Sequence, residues 1–267
     1  MTEPHIVRVP DATAGAARAA EAIAAALTDA VAERGRADWA TTGGSTVVAI
    51  YQALMAPDVR DRVPWDQVHT WWGDERFVPQ DHPLSNAGLF EDVMLEAGAW
   101  ESVHSDDPRT LIRIPAENVH PFHTGETIGD GGSPDDCARD MADELRAAEL
   151  PDGGGWPAFD LVLLGVGGDG HILSVFPGSK AFDASEIALG IAAPTHIEPH
   201  VPRVTLNPSI VGAARRVVVV SNGASKAATL AQVFSDPVDP HRLPAQLARR
   251  DGATWILDEA AAANLPR

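Results

Sequence analysis

Three short segments place polar, glycine-rich residues directly after apolar runs, and each could do chemistry. The first is Asp169-Gly170-His171, which ends the stretch Gly165-Val-Gly-Gly-Asp-Gly-His171 behind the apolar run Phe159–Leu164. An imidazole titrates near neutrality, and a carboxylate beside it can orient it, which suits general-base work. The second is Gly43-Gly44-Ser45-Thr46, two glycines and two hydroxyls leading into a helical stretch. Glycines let a backbone approach a ligand, and free N–H groups at a helix start attract an anion such as phosphate. The third is Gly73-Asp74-Glu75-Arg76, after Gln67–Trp72. Its guanidinium can grip a phosphate in two places, which a lysine cannot. Taken singly, each segment also reads as an ordinary turn, a helix cap or a solvated surface cation.

Other chemistries lack their residues. Gly165–Gly170 formally fits G-x-G-x-x-G, but Pro177 and Gly178 follow too soon for the long helix that should receive a pyrophosphate, which argues against a nucleotide-dependent dehydrogenase. The chain contains no G-x-S-x-G, no G-x-x-x-x-G-K-[ST] and no H-E-x-x-H. His196 and His200 have the spacing of a metal pair, yet Pro194, Pro199 and Pro202 forbid the helix that would align them, and no metal site is expected. One cysteine, Cys137, excludes an intrachain disulfide and a multi-cysteine cluster.

Elements must carry these segments to one place. Ala16, Ala20, Ile23, Leu27 and Val31 predict a helix over Asp11–Arg34, closed by Gly35. Ala37–Thr42 and Gln67–Trp72 read as strands, and Val47–Met55 as a helix ended by Pro57. Helices are expected over Ser85–Ala97, with Gly98 as stop, and over Asp135–Leu150. Between them, Ala99–Pro134 is expected to be mostly loop with a short strand near Leu111–Ile114. Phe159–Gly165 is nearly all apolar, as a central parallel strand covered on both faces should be. Further strands are expected at Ile187–Ala193, Arg203–Leu206, Arg216–Val220 and Thr254–Leu257, with helices at Ser225–Phe234, Pro244–Arg249 and Asp258–Asn264. The alternation predicts an α/β fold: a Rossmann-like, mostly parallel sheet with helices on both faces, in one domain over residues 1–267.

The chain has 267 residues and a formal net charge of −18. A broad nucleic-acid surface is therefore excluded, and an anionic ligand must be held by a few placed cations. No leader and no apolar run of membrane-spanning length is evident, so a cytoplasmic protein with no membrane partner is expected. Trp71 and Trp72 are expected in the core or the site wall.

The segments together resemble the 6-phosphogluconolactonases. Gly43–Thr46, Gly73-Asp-Glu-Arg-Phe-Val-Pro79, Ser85-Asn86, and Gly165–His171 through Phe176-Pro-Gly178 stand in that family's order and spacing. Ile114–His120, Pro202-Arg-Val-Thr-Leu206 and Gly223-Ala-Ser-Lys226 also resemble it, so the likeness covers about residues 6–260. Leu173 is bulkier than the family's usual alanine, and His123–Pro134 is a longer, glycine-richer connection than usual. The resemblance implies a fold like that of the glucosamine-6-phosphate deaminases and ribose-5-phosphate isomerases. It also implies hydrolysis of 6-phospho-D-glucono-1,5-lactone with no metal or organic cofactor. His171 would then be the general base, Asp169 its orienting acid and Arg76 a catalytic or gripping cation. Gly43, Gly44, Ser45, Thr46, Asp74, Arg203 and Lys226 would bind substrate and phosphate. A monomer or homodimer acting on a small phosphosugar lactone is expected. The alternatives are a deaminase-type sugar-phosphate isomerase, for which Asp-Glu-Tyr would be expected at 74–76, and a non-catalytic sugar-phosphate binding module.

Overall fold

The computed structural model describes residues 4–95 and 114–266. In chain order the elements are β1 (His5–Val9), α1 (Ala12–Arg34), β2 (Ala37–Thr41), α2 (Ser45–Leu54), α3 (Pro57–Arg60), β3 (Val68–Trp72), β4 (Asp74–Arg76), α4 (Asn86–Met94) and β5 (Val119–His120). Next come α5 (Thr124–Gly129), α6 (Pro134–Ala147), β6 (Leu161–Gly165), β7 (Ala188–Ile191), β8 (Arg203–Leu206), α7 (Ser209–Ala213), β9 (Arg216–Ser221), α8 (Ala227–Ser235) and β10 (Ala253–Asp258).

Among the described residues seven strands form one parallel sheet in the order β1-β10-β9-β6-β2-β3-β5. β6 sits at its centre, where its apolar run belongs, and β2, β6 and β9 are buried along nearly their whole length. The sheet is thus covered on both faces, as the α/β expectation requires. From β2 the chain steps outward through β3 to β5, then returns to lay β6 on the other side of β2 and continues through β9 to β10. The reversal falls between β2 and β6, and ligands of open parallel sheets bind at the carboxyl side of such a reversal.

Local chemistry explains the elements. Asp11 caps α1 by accepting from the Ala14 N–H, and Gly35 closes it at φ 73°, a conformation glycine adopts without strain. On one face of the sheet Trp39, Tyr51, Phe90 and Trp72 pack edge-to-face with centroids 5.2–6.3 Å apart, fixing α2 and α4. Trp71 points to the opposite face, as period two demands, and stacks on His120 at 3.8 Å. Both tryptophans are fully buried.

His120 also anchors the sheet edge. It meets His69 at 3.0 Å and Glu144 of α6 at 2.6 Å. Burial alone would raise the Glu144 carboxyl, but contacts with His120 and His123 outweigh it and hold the group down to about 2. Burial pushes His69 down to about 4.

The structure departs from the sequence reading in several places. β1 is an unanticipated edge strand. Asp74–Arg76 is not merely the end of a strand: it is a strand itself, pairing antiparallel with β8, which pairs antiparallel with β7. The strands expected at 187–193 and 203–206 therefore leave the main sheet for a second, three-stranded one. Within the expected loop, β5 and α5 are ordered, and Ser133 and Asp136 close a capping box that starts α6. Pro244–Ala248 is a 3-10 turn. Residues 259–264, expected to be helical, form a run of turns with Asp258 Oδ1 accepting from the Ala261 N–H. α2 ends at Leu54, ahead of Pro57 as expected, and Pro57 also begins α3. The stop at Gly98 and most of the strand near 111–114 lie outside the described residues.

Candidate active site

At the carboxyl ends of β2, β6 and β9 lies a cleft of about 450 Å³. Each wall is a loop that leaves a buried strand. From β2, Tyr51 of α2 bonds Thr41 Oγ1 at 2.8 Å and donates to the Thr42 carbonyl at 2.9 Å, pinning the loop Thr42–Gly44. Gly44 takes φ 96° at the N-cap of α2 and offers no capping side chain. Ser45 and Thr46 therefore open the helix with hydroxyls that do not cap it, and both line the cleft. A Cβ on Gly43 would meet Asn86 Oδ1 at 1.7 Å, so glycine is required where Asn86 packs.

Asn86 is held in turn by Glu75. This buried carboxylate accepts from the backbone N–H groups of Arg76, Asn86 and Ala87 at 2.7–2.8 Å and from Ser85 Oγ at 3.2 Å. Burial pushes Glu75 up to about 7 against those donors. It ties β4 to the start of α4, and Asn86 Nδ2 donates to the Asp74 carbonyl at 2.8 Å. Asp74 lines the cleft and accepts from Ser174 Oγ at 2.5 Å.

The loop after β6 carries the acid–imidazole pair. Asp169 Oδ1 lies 2.6 Å from His171 Nδ1 and accepts the His171 N–H at 3.1 Å. Burial opposes its ionisation, but the hydrogen bonds from His171 outweigh it and hold the carboxyl well below the usual range. An ionised carboxylate only accepts, so His171 Nδ1 carries the proton and Nε2 keeps its lone pair. His171 lines the cleft; Asp169 stands behind it. Thr229 Oγ1 donates to the Gly168 carbonyl at 2.6 Å and the Ala245 N–H to the Gly170 carbonyl at 2.9 Å, which fixes the loop.

Three cations converge here in an otherwise acidic chain. Arg76 and Arg203 are direct cross-strand partners on β4 and β8. Like charges placed opposite each other destabilise a strand pair. Arg203 is only 4% exposed, and burial lowers its pKa with Arg76 adding to the effect. Arg76 Nη1 donates to the Leu84 carbonyl at 2.8 Å and Arg203 Nη2 to the Pro199 carbonyl at 3.2 Å. The Nε of each is buried and finds no acceptor among the described residues, and neither guanidinium has a carboxylate at ion-pair distance there. Lys226 ends the 3-10 turn Ala224–Lys226 and stands at the N-cap of α8, the positive end of the helix, and burial lowers its pKa. An anion in the cleft would satisfy all three.

Every site residue singled out from the sequence thus reaches this one cleft, Asp169 from behind it. The sequence reading missed Asn86 as a wall, Glu75 as the group that positions it, and Ile197, Ser221 and Asn222 as further lining. It also missed His196, which meets Asp169 Oδ2 at 3.1 Å. His196 and His200 do not converge, since His200 Nδ1 bonds the Pro194 carbonyl at 2.7 Å. Among the described residues no group of three His, Cys, Asp or Glu is arranged to hold a metal, and no helix is long and apolar enough to cross a membrane.

The geometry makes Gly167 a sharp test. A Cβ there would lie 2.0 Å from His171 Nδ1. Gly167→Ala must swing the imidazole off Asp169, and misplacing a catalytic group by about 1 Å can cost ~10²-fold. We expect kcat to fall at least ~10-fold with the melting temperature little changed, measured by steady-state kinetics beside thermal melts.

Comparison with known proteins gives a consistent result. The family described as glucosamine-6-phosphate isomerases/6-phosphogluconolactonase matches residues 10–256. A 6-phosphogluconolactonase of Synechocystis sp. is 33% identical over 93% of this chain and 92% of its own length. That of Mycobacterium tuberculosis is 33% identical over 96% of both. Among solved structures, a 6-phosphogluconolactonase from Trypanosoma brucei superposes with a TM-score of 0.80 at 26% identity, covering both chains fully. A monomeric glucosamine-6-phosphate deaminase shares the fold, with a TM-score of 0.74 at 15% identity over 97% of this chain and 99% of its own.

Proposed function

The chain belongs to the glucosamine-6-phosphate isomerase/6-phosphogluconolactonase family, and from that premise we propose how its cleft works. It hydrolyses 6-phospho-D-glucono-1,5-lactone to 6-phosphogluconate in the pentose phosphate pathway. The observation that carries the mechanism is one cleft holding an Asp169-oriented imidazole and three cations that no carboxylate pairs among the described residues.

In our reading His171 Nε2 takes a proton from water as the water oxygen bonds to the lactone carbonyl carbon. Backbone N–H groups of the Gly165–Gly168 stretch meet the oxyanion, apart from that of Gly167, which donates to the His171 carbonyl at 2.8 Å. When the tetrahedral intermediate collapses, the bond to the ring oxygen breaks and the imidazolium returns its proton to that oxygen. Asp169 keeps Nδ1 protonated throughout and stabilises the imidazolium. A lactone ester is already susceptible to water, so one general base, worth ~10²–10⁴-fold, with positioning supplies much of the rate. These steps balance without a metal or cofactor.

The substrate phosphate sits at the start of α2, on Gly43, Gly44, Ser45 and Thr46, with Arg203 and Lys226. Asp74 holds the sugar side, and Arg76 grips phosphate or developing charge. The reading includes one α/β domain in a cytoplasmic enzyme acting as monomer or homodimer. A nucleic-acid or membrane partner is not part of it, in keeping with the charge of −18.

Purified protein mixed with freshly made 6-phosphogluconolactone should release acid well above the spontaneous rate in a pH-stat. It should release no ammonia from glucosamine-6-phosphate. Ammonia release without lactone turnover would assign the chain to the deaminases instead.

A further inference from the structure

The acid–base pair has a third member. The two oxygens of Asp169 face different partners: Oδ1 accepts from His171, and Oδ2 lies 3.1 Å from His196 Nε2. Because the carboxylate only accepts, His196 Nε2 is the donor. His196 comes from the connection between β7 and β8, which also brings Ile197 to the cleft wall and runs on into Arg203. The Phe176 ring packs against both imidazoles, with centroids 4.7 Å from His171 and 5.6 Å from His196. Two histidines therefore hang on one carboxylate over one aromatic floor.

We propose that His196 is a positioning residue for lactone hydrolysis: its bond to Oδ2 fixes the rotation of the Asp169 carboxylate and takes up part of its charge, so that His171 stays a neutral base. The proposal rests on the assignment of His171 as that base. A carboxylate 2.6 Å from an imidazole favours the imidazolium. A base already protonated cannot accept a proton from water, so an unshared Asp169 would orient His171 at the expense of its availability. A second donor on the far oxygen moderates that pull and blocks rotation about the carboxylate axis, which would break the bond to Nδ1.

Two cations lie nearby. Lys226, from the turn after β9, interacts with Asp169 through space. Arg203 of β8 lies over the Phe176 ring, 5.6 Å from its centroid. Among the described residues His196 is the side chain besides His171 within hydrogen-bond distance of Asp169. The His196 side chain is 53% exposed, so solvent screens its effect. That exposure also means that replacing it leaves the core intact.

The test is the pH dependence of kcat/KM for the parent enzyme, His196→Ala, His196→Gln and His171→Asn. Removing the donor leaves more charge on Asp169, the imidazolium of His171 becomes easier to form, and activity is lost at a higher pH on acidification. We expect the acid limb of His196→Ala to move to higher pH and its plateau kcat to fall ~3–10-fold. The amide of His196→Gln keeps a donor near the Nε2 position and should return the limb to the parent pH. An unmoved limb in His196→Ala, with activity reduced equally at every pH, assigns His196 a structural role and overturns the proposal. An equal shift in His196→Gln also overturns it, since the hydrogen bond would not be the cause. His171→Asn distinguishes failure of the base assignment from failure of the His196 role. If it keeps turnover, the base assignment falls and this inference with it; if it is inactive while the His196 limb is unmoved, the inference alone fails.

Discussion

Replacing His171 with Asn or Ala is expected to lower kcat at least ~10²-fold while the protein stays folded. The reason is geometric. His171 is the imidazole whose Nδ1 is committed to an ionised carboxylate and whose ring lines the cleft, and in the proposed mechanism its Nε2 is the lone pair offered to water. Nothing else in the fold depends on it to a comparable degree: the loop is held by Thr229 and by the Ala245 N–H, through main-chain atoms that survive the substitution. The melting curve should move little, and the acid limb of kcat/KM should vanish along with the activity above background. Acid release measured against the spontaneous reaction gives the rate, and circular dichroism gives the fold. Near-parental turnover in either variant would remove His171 from the mechanism and return attention to Asp74.

The second large effect concerns binding. Arg203→Ala and Lys226→Ala are each expected to raise KM for the phosphorylated lactone by ~10–100-fold. A charge-assisted hydrogen bond is worth roughly 1.5–3 kcal/mol, which is one to two decades. Unphosphorylated gluconolactone should be a poor substrate for the parent enzyme, and these substitutions should change its kcat/KM far less. The reason lies in where the two residues stand. Arg203 is buried opposite another arginine, and Lys226 stands at the positive end of a helix. Both positions are unfavourable for a cation unless an anion shares them. Inorganic phosphate and 6-phosphogluconate should compete with substrate in the parent and lose potency in both variants. If both lactones suffer alike, the two residues serve the fold or the chemistry, and the phosphate grip belongs to Arg76 and the Gly43–Thr46 loop.

The place of this cleft is legible in the sequence because it sits where regular structure stops. A short apolar run bounded by glycines, such as Leu161–Gly165, reads as a covered strand, and the loop leaving the carboxyl end of such a strand in an open parallel sheet faces the ligand. The three glycine-rich segments are of this kind. The features that escaped were set by contacts distant in sequence. β4, β7 and β8 have three or four residues each, too few for a period to reveal that they form a separate antiparallel sheet. His196 stands among prolines with no periodic neighbours, and its partner is 27 residues away. Glu75 reads as one of three charged neighbours, although its donors at Ser85, Asn86 and Ala87 make it the clamp between β4 and α4. α5 has six residues, two of them glycine, and propensity argues against it; it packs against α6. The turns after Asp258 are the opposite case, where alanine-rich composition favours a helix that the chain does not form.

The two arginines facing each other across β4 and β8 also bear on the stability of the fold. A cleft that gathers unpaired positive charge is held open against its own repulsion, and a bound dianion relieves it. Any ligand that binds the folded chain and not the unfolded one stabilises the fold by RT ln(1 + [L]/Kd), about 2.7 kcal/mol at a hundredfold excess over Kd. A bound sugar phosphate therefore protects the folded population from opening, and thermal melts with and without 6-phosphogluconate should show the gain.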